Sequence, residues 1–174
     1  METLLADAAI FVILPLCLAI SAFSDLFTMT IPNRASAIIL GTFILVAPLA
    51  GLSLTMIGLH LVAGLIVFAV CFTLFAFNVM GGGDAKLLTA SSVWFGLNSS
   101  LPEFLIYVSF FGGVLTLLIL AMRSQENTIL ASGFPVPQAL FTAKKIPYGI
   151  AIGIGGFLAY PSSPLMLHAL TRVH

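Results

Sequence analysis

Long apolar runs alternate with short polar breaks along the chain, and their lengths predict helices that cross a membrane. Three runs, at about 4–23, 56–79 and 104–122, approach the roughly 20 residues that span the hydrocarbon core as an α-helix. The strict alternation of apolar and polar residues that is typical of the strands of a membrane barrel is not seen. The pattern therefore predicts an all-α polytopic membrane protein.

Three further segments complete the predicted bundle. A second span is expected from about 35 to a break at 48–51, and a short, serine-rich fourth span over 87–101. A sixth begins at Tyr148, is rich in glycine, and either ends or kinks at Pro161. The remaining residues either continue that span or lie at the membrane interface. We therefore predict about six transmembrane helices in one domain covering 1–174, with no separate soluble domain.

The distribution of basic residues predicts how this bundle is oriented. With six spans, five of the six basic residues fall on one face: Arg34, Lys86, Arg123, Lys144 and Lys145. The opposite face holds the remaining basic residue and three acidic ones: Arg172, Glu2, Asp7 and Glu103. The positive-inside rule places the first face in the cytoplasm and both termini outside. The acidic N-terminus lacks the basic region of a signal peptide, so we interpret it as a retained first span.

The composition of the chain argues against a soluble domain, a nucleic-acid-binding protein and a metal or disulfide protein. Hydrophobic residues make up 60% of the chain and charged residues 7%, against about 25% charged residues in soluble domains. The net charge is zero, and without a basic run nucleic acid is not an expected partner. Cys17 and Cys71 lie in apolar runs and form no CxxC pair, so neither a metal site nor a disulfide framework is predicted. No cofactor is expected, and the lipid bilayer is the surrounding partner.

Two aspartates share the predicted cytoplasmic face. Asp25 follows the first span and Asp84 follows the third, and an ionisable residue at such a place indicates a functional site. Two carboxylates that approach in a low-dielectric site hold one proton between them and titrate as a unit. Such a pair can hydrolyse a peptide bond, with one carboxylate activating water and the other polarising the carbonyl.

Structural roles for the same residues are the alternative. Asp25 could cap a turn before Pro32, and Asp84 could be the N-cap of a helix beginning at Ala85. The glycines at 81–83 could end the third span, or could let an extended substrate backbone approach Asp84. Lys86 could support that carboxylate or contact substrate, but its alternative is an ordinary interfacial lysine. The shared face of the two aspartates favours a common site.

Three short segments resemble one known family. GGGD at 81–84 is a GxGD motif, and its continuation AKLL at 85–88 resembles that of type IV prepilin peptidases. SD at 24–25 followed by IPN at 31–33 is similar to the first aspartate region of that family. KIPYG at 145–149 is similar to the segment that opens its last span. The matches occur in the family's order across nearly the whole chain.

The resemblance implies a GxGD aspartic protease fold and a membrane endopeptidase that removes a short basic leader from prepilins. Cleavage would occur at the cytoplasmic face of the inner membrane, with Asp25 and Asp84 as the catalytic pair. The candidate residues for approach of the substrate backbone are Gly81 and Gly83. The candidates for substrate contact or electrostatic support are Lys86, Pro147 and Gly149.

Long family members carry paired CxxC motifs associated with N-methylation, which this sequence lacks, so the resemblance implies a chain with no methyltransferase domain. The chain resembles the short, peptidase-only form that serves tight-adherence (Flp-type) pili, so its expected partners are a prepilin, other pilus-assembly proteins or a second copy. Archaeal preflagellin peptidases and other GxGD intramembrane proteases remain alternatives within this class. From other classes, a small proton- or cation-coupled transporter and a purely structural subunit remain open.

Overall fold

The computed structural model describes residues 2–125, 139–142 and 146–173, and the regular structure within these ranges is helical. The predicted all-α membrane class is confirmed. Much of the polar loop predicted to precede Tyr148, with Glu126, Lys144 and Lys145, lies outside the described residues.

Eight α-helices make up the described part of the chain. They are α1 (Glu2–Thr28), α2 (Asn33–Leu49), α3 (Leu54–Ala76), α4 (Gly82–Phe95), α5 (Ser100–Ser124), α6 (Ala139–Thr142), α7 (Tyr148–Ala159) and α8 (Pro164–Val173). A 3-10 turn at Tyr160–Ser162 joins α7 to α8, and the two helices are bent by 48°. The chain therefore does change direction near Pro161, as predicted, between the end of α7 and the start of α8.

The number of helices long enough to cross a membrane is lower than predicted. Among the described residues α1, α3 and α5 are long and apolar enough, and the bent pair α7–α8 makes a fourth if it counts as one span. Helix α2 has 17 residues and α4 has 14. At 1.5 Å per residue α4 is about 21 Å long, short of the roughly 30 Å hydrocarbon core. By length and composition alone, three or four of the described helices qualify as spans, whereas the sequence pattern predicted about six.

Helix α4 forms the centre of the bundle. It packs against α2, α3 and α7, and its Leu87, Trp94 and Phe95 are fully buried. Trp94 Nε1 donates a hydrogen bond of 2.9 Å to the Ile39 carbonyl of α2. The predicted span at 87–101 is wrong at both ends, because the helix begins at Gly82 and ends at Phe95. Gly96, with a φ of 70°, breaks it there. Its apolar residues are covered by protein, and hydropathy alone does not distinguish protein from lipid as the covering.

Two other helix ends also differ from prediction. Helix α1 continues beyond 23 to Thr28. The polar side chains at its end form hydrogen bonds with the backbone of the same segment. Thr28 Oγ1 donates to the Ser24 carbonyl at 2.7 Å, and Ser24 Oγ donates to the Thr30 carbonyl at 2.8 Å. Helix α3 ends at Ala76 instead of about 79, and the chain then turns through Asn78 with a φ of 58°. As a result Asp25 lies inside α1 rather than after it, and a turn separates Asp84 from the end of α3.

Glycines allow α7 to pack closely between α1 and α5. A Cβ added at Gly155 would lie 2.8 Å from the backbone nitrogen of Val108 in α5. A Cβ at Gly156 would overlap Leu18 Cδ1 in α1. Small residues permit such close backbone contacts between helices in membranes. The glycine-rich sequence of α7 thus reflects its place between two longer helices.

Adding one methyl group at Gly155 is expected to destabilise the bundle. In Gly155→Ala the new Cβ meets backbone, which cannot rotate away, so overpacking should cost about 1–3 kcal/mol. Thermal unfolding in detergent micelles measures the loss. Gly113→Ala in α5 is the matched control, because its added Cβ meets nothing within 4 Å. Equal unfolding temperatures for the two variants would contradict the packing described here.

The end of the bundle near the start of α1 is held by polar contacts and is called the far end. Arg172 in α8 pairs with Asp7 in α1 at 3.9 Å and donates to the Ala50 carbonyl at the end of α2. His168 Nε2 is 2.8 Å from the same carbonyl oxygen. These contacts fix α8 across the ends of α1 and α2, opposite the end of α1 that carries Asp25.

Candidate active site

Asp25 and Asp84 line one cavity of about 220 Å³, called the aspartate cavity. It lies where α1 ends and where α2 and α4 begin. Its lining residues are Asp25, Met29, Thr30, Ile31, Asn33, Gly81, Gly82, Gly83, Asp84 and Ile146. The two carboxylates that the sequence placed on one face therefore border the same space, although they come from different helices.

Asp25 is held by the beginning of α7. It lies in the last turn of α1 and is 5% exposed, and its Oδ2 accepts a hydrogen bond of 2.7 Å from the Gly149 N–H. Gly149 is the second residue of α7, whose first N–H groups have no partner within the helix. The Asp25 carboxylate thus pairs with an N–H at the positive end of α7, although Asp25 and Gly149 are 124 positions apart in the sequence. This bond, rather than a capped turn before Pro32, is the described contact of its side chain.

Gly149 cannot carry a side chain without moving Asp25. An added Cβ would lie 2.9 Å from both Cβ and Oδ2 of Asp25, and 3.0 Å from Ile31 Cδ1. Pro147 is the N-cap residue of α7 and is fully buried, so it fixes where the helix begins. Of the three residues predicted for substrate contact or support, Gly149 contacts the Asp25 carboxylate directly and Pro147 supports it through the backbone.

Asp84 lies in the first turn of α4 and is partly exposed. The N-cap of this helix is Gly81, so the predicted N-cap role of Asp84 is wrong by three residues. The glycines begin α4 instead of ending α3. A Cβ at Gly81 would lie 2.6 Å from Asp84 Oδ2, and one at Gly83 would lie 3.1 Å from Ile31 Cβ. Their lack of side chains lets the backbone approach the Asp84 carboxylate and the loop after α1.

Three helix N-termini meet at the aspartate cavity. Asn33 is the first residue of α2, Gly82 is the first residue of α4, and α7 reaches Asp25 through Gly149. The positive ends of the helix dipoles stabilise negative charge placed near them. The site can therefore hold carboxylates and an oxygen that becomes negative during a reaction, which suits acid–base hydrolysis.

Lys86 reaches across from α4 to α2. Its exposed side chain donates a hydrogen bond of 3.0 Å to Asn33 Oδ1. Asn33 was not among the predicted site residues, although it belongs to the IPN segment at 31–33 that follows the first aspartate. Its position in the cavity depends on where α2 begins, which the sequence pattern placed two residues later.

The family model described as "Type IV leader peptidase family" matches residues 12–117, which are more than half of the chain and include both aspartates. Neither the curated proteins nor the solved structures include a match to the chain. The family match and the all-helical structure agree with a membrane peptidase. The chain belongs to the type IV leader peptidase family.

Proposed function

We propose that the chain is a membrane aspartic endopeptidase that removes the N-terminal leader from Flp-type prepilins, with Asp25 and Asp84 as its catalytic pair. The observation that carries this proposal is the aspartate cavity, where carboxylates from two helices border one space beside three helix N-termini. The family match supports the peptidase class, and the cavity supplies the two groups that such hydrolysis needs.

The reaction we propose needs only water and the two side chains. One carboxylate takes a proton from water while the water oxygen bonds to the scissile carbonyl carbon. The other carboxyl group gives its proton to the carbonyl oxygen, and a tetrahedral diol forms. The diol then returns a proton, the C–N bond breaks, and the leaving nitrogen takes a proton to become the amine of the mature pilin. The pair carries one proton before and after each step, so the cycle balances and leaves the two carboxyl groups as they began.

Charge asymmetry supports cleavage at the cytoplasmic face of the inner membrane. Arg34, Lys86 and Arg123 lie at the end of the bundle that holds the aspartate cavity, and Arg172 lies at the far end beside Asp7. Cytoplasmic ends of membrane proteins are enriched in lysine and arginine. The termini would then face the outside, and a leader would reach the cavity from the cytoplasm.

Co-expression with an Flp-type prepilin tests this function. The wild-type chain should convert the precursor to a shorter pilin in the membrane, seen as a mobility shift and located by the mass of the product. Cells with the same prepilin and an empty vector are the control and should retain the precursor. Precursors from several pilus systems that all remain uncut would refute the proposed substrate class, and proton flux through the membrane would then test the transporter alternative.

A further inference from the structure

The hydrogen bond between Lys86 and Asn33 joins two helices at the rim of the aspartate cavity. Lys86 Nζ and Asn33 Oδ1 are 3.0 Å apart, and both side chains are exposed. The same helices are already joined in the core by the buried Trp94–Ile39 hydrogen bond. An exposed hydrogen bond contributes little to stability because water competes for both groups. The fold therefore gives no strong reason for this contact.

The contact does fix which way the Asn33 amide faces. A lysine ammonium has only donors, so the atom that meets it must be the amide oxygen. The amide nitrogen then lies on the other branch and keeps two N–H donors. Among the residues that the structure describes, no acceptor takes a hydrogen bond from Asn33 Nδ2. Lys86 thus leaves an oriented donor group on a residue that lines the cavity.

The aspartate cavity has few side-chain donors for a peptide carbonyl. Asp25 and Asp84 act mainly as acceptors, and a shared proton supplies one donor. The Thr30 hydroxyl is 2.6 Å from Thr28 Oγ1 and is engaged there. Asn33 is the lining residue whose side chain offers amide N–H groups, and it is also the first residue of α2.

We propose that the Asn33 side-chain amide donates a hydrogen bond to the oxygen of the scissile carbonyl, and that Lys86 is a positioning residue which holds this amide in place. The inference rests on the proposed function. Partial negative charge develops on that oxygen as water attacks and before the carboxyl proton has fully reached it, so the donor should accelerate the chemical step more than it strengthens binding.

The test uses purified full-length chain in detergent micelles and a synthetic peptide spanning the leader junction of an Flp-type prepilin. Asn33→Asp keeps the size and an acceptor for Lys86 but removes both N–H donors, and Asn33→Leu removes them without adding charge. Both variants should lower kcat by about 100-fold, as does loss of an oxyanion donor elsewhere. KM should stay within about threefold, as expected when only the transition state loses an interaction. Asn33→Gln keeps an amide and should recover part of kcat.

Lys86→Met tests the positioning role. It should lower kcat by about tenfold, because a misplaced group loses much of its effect. In the Asn33→Leu background, Lys86→Met should lower kcat no further, since the two residues act as one unit. Asn78→Asp is the control for charge. Asn78 is exposed in the turn after α3, and its φ of 58° is tolerated by aspartate.

The outcomes separate this inference from the proposed function. Wild-type cleavage with unchanged kcat in Asn33→Leu would overturn the role of Asn33 and leave the peptidase assignment standing. A lower kcat in Asn33→Asp but not in Asn33→Leu would also overturn the role of Asn33, because the added charge would then be the cause of the loss. A wild-type chain that leaves the peptide intact would overturn both. Loss in both Asn33 variants, recovery in Asn33→Gln and normal kcat in Asn78→Asp would support the proposal.

Discussion

Gly149→Ala is expected to remove most peptidase activity although it adds only one methyl group. The new Cβ would lie 2.9 Å from both Cβ and Oδ2 of Asp25, closer than real Cβ atoms approach, and 3.0 Å from Ile31 Cδ1, which is tighter than most real contacts. Helices α1 and α7 are already in close contact through Gly153 and Gly156, so they have little room to separate. The carboxylate must then leave the Gly149 N–H, to which it is bonded at 2.7 Å.

This displacement of the Asp25 carboxylate should lower the rate of peptide cleavage strongly. A catalytic group misplaced by about 1 Å can cost 100-fold in rate, and we expect a loss of about that size. The measurement is the rate of prepilin cleavage in membranes containing equal amounts of each variant. Gly41→Ala in α2 is the matched control, because its added Cβ meets nothing within 4 Å. Cleavage by Gly149→Ala at the control rate would show that the Asp25–Gly149 bond does not support catalysis.

The sequence predicted the components of the site better than the helices that carry them. Asp25 and Asp84 were paired because each follows an apolar run and a shared face was expected. They do line one cavity. The glycines near Asp84 and the segment that opens α7 were also identified from motif resemblance, and Gly149 proves to bond Asp25. Local sequence carries this information because chemical groups and tight backbone approaches require particular residue types.

What the sequence did not predict depends on contacts between distant residues. Hydropathy does not distinguish an apolar run covered by lipid from one covered by protein, so the buried helix α4 was interpreted as a span. The start of α4 at Gly82 placed Asp84 inside the first turn rather than at its cap. The Asp25–Gly149 bond joins residues 124 positions apart, and the Lys86–Asn33 bond joins residues 53 apart. Neither separation has a signature in local periodicity.

Removing either carboxylate is expected to have the largest effect of any single substitution. Asparagine keeps the size of aspartate and much of its hydrogen bonding, but it can neither take a proton from water nor give one to a carbonyl oxygen. Asp25→Asn and Asp84→Asn should therefore each lower the rate of prepilin cleavage by about 10⁴-fold or more, as removal of a catalytic group does in other proteases. In Asp25→Asn the amide oxygen would still be able to accept the Gly149 N–H, so the fold should persist.

Asp7→Asn is the matched control for both variants. Asp7 is also a buried acidic residue of α1, but it lies at the far end, paired with Arg172 at 3.9 Å. The same chemical change there should leave the rate of cleavage within about twofold of wild type, because no reacting group is touched. Equal amounts of the variants in the membrane are verified by immunoblot.

The most direct test of the catalytic pair is prepilin cleavage by wild type, Asp7→Asn, Asp25→Asn and Asp84→Asn, followed side by side as a mobility shift. We predict that wild type and Asp7→Asn produce mature pilin, whereas Asp25→Asn and Asp84→Asn accumulate in the membrane and leave the precursor intact. Normal processing by either of the last two variants would contradict the assignment of Asp25 and Asp84 as a catalytic pair.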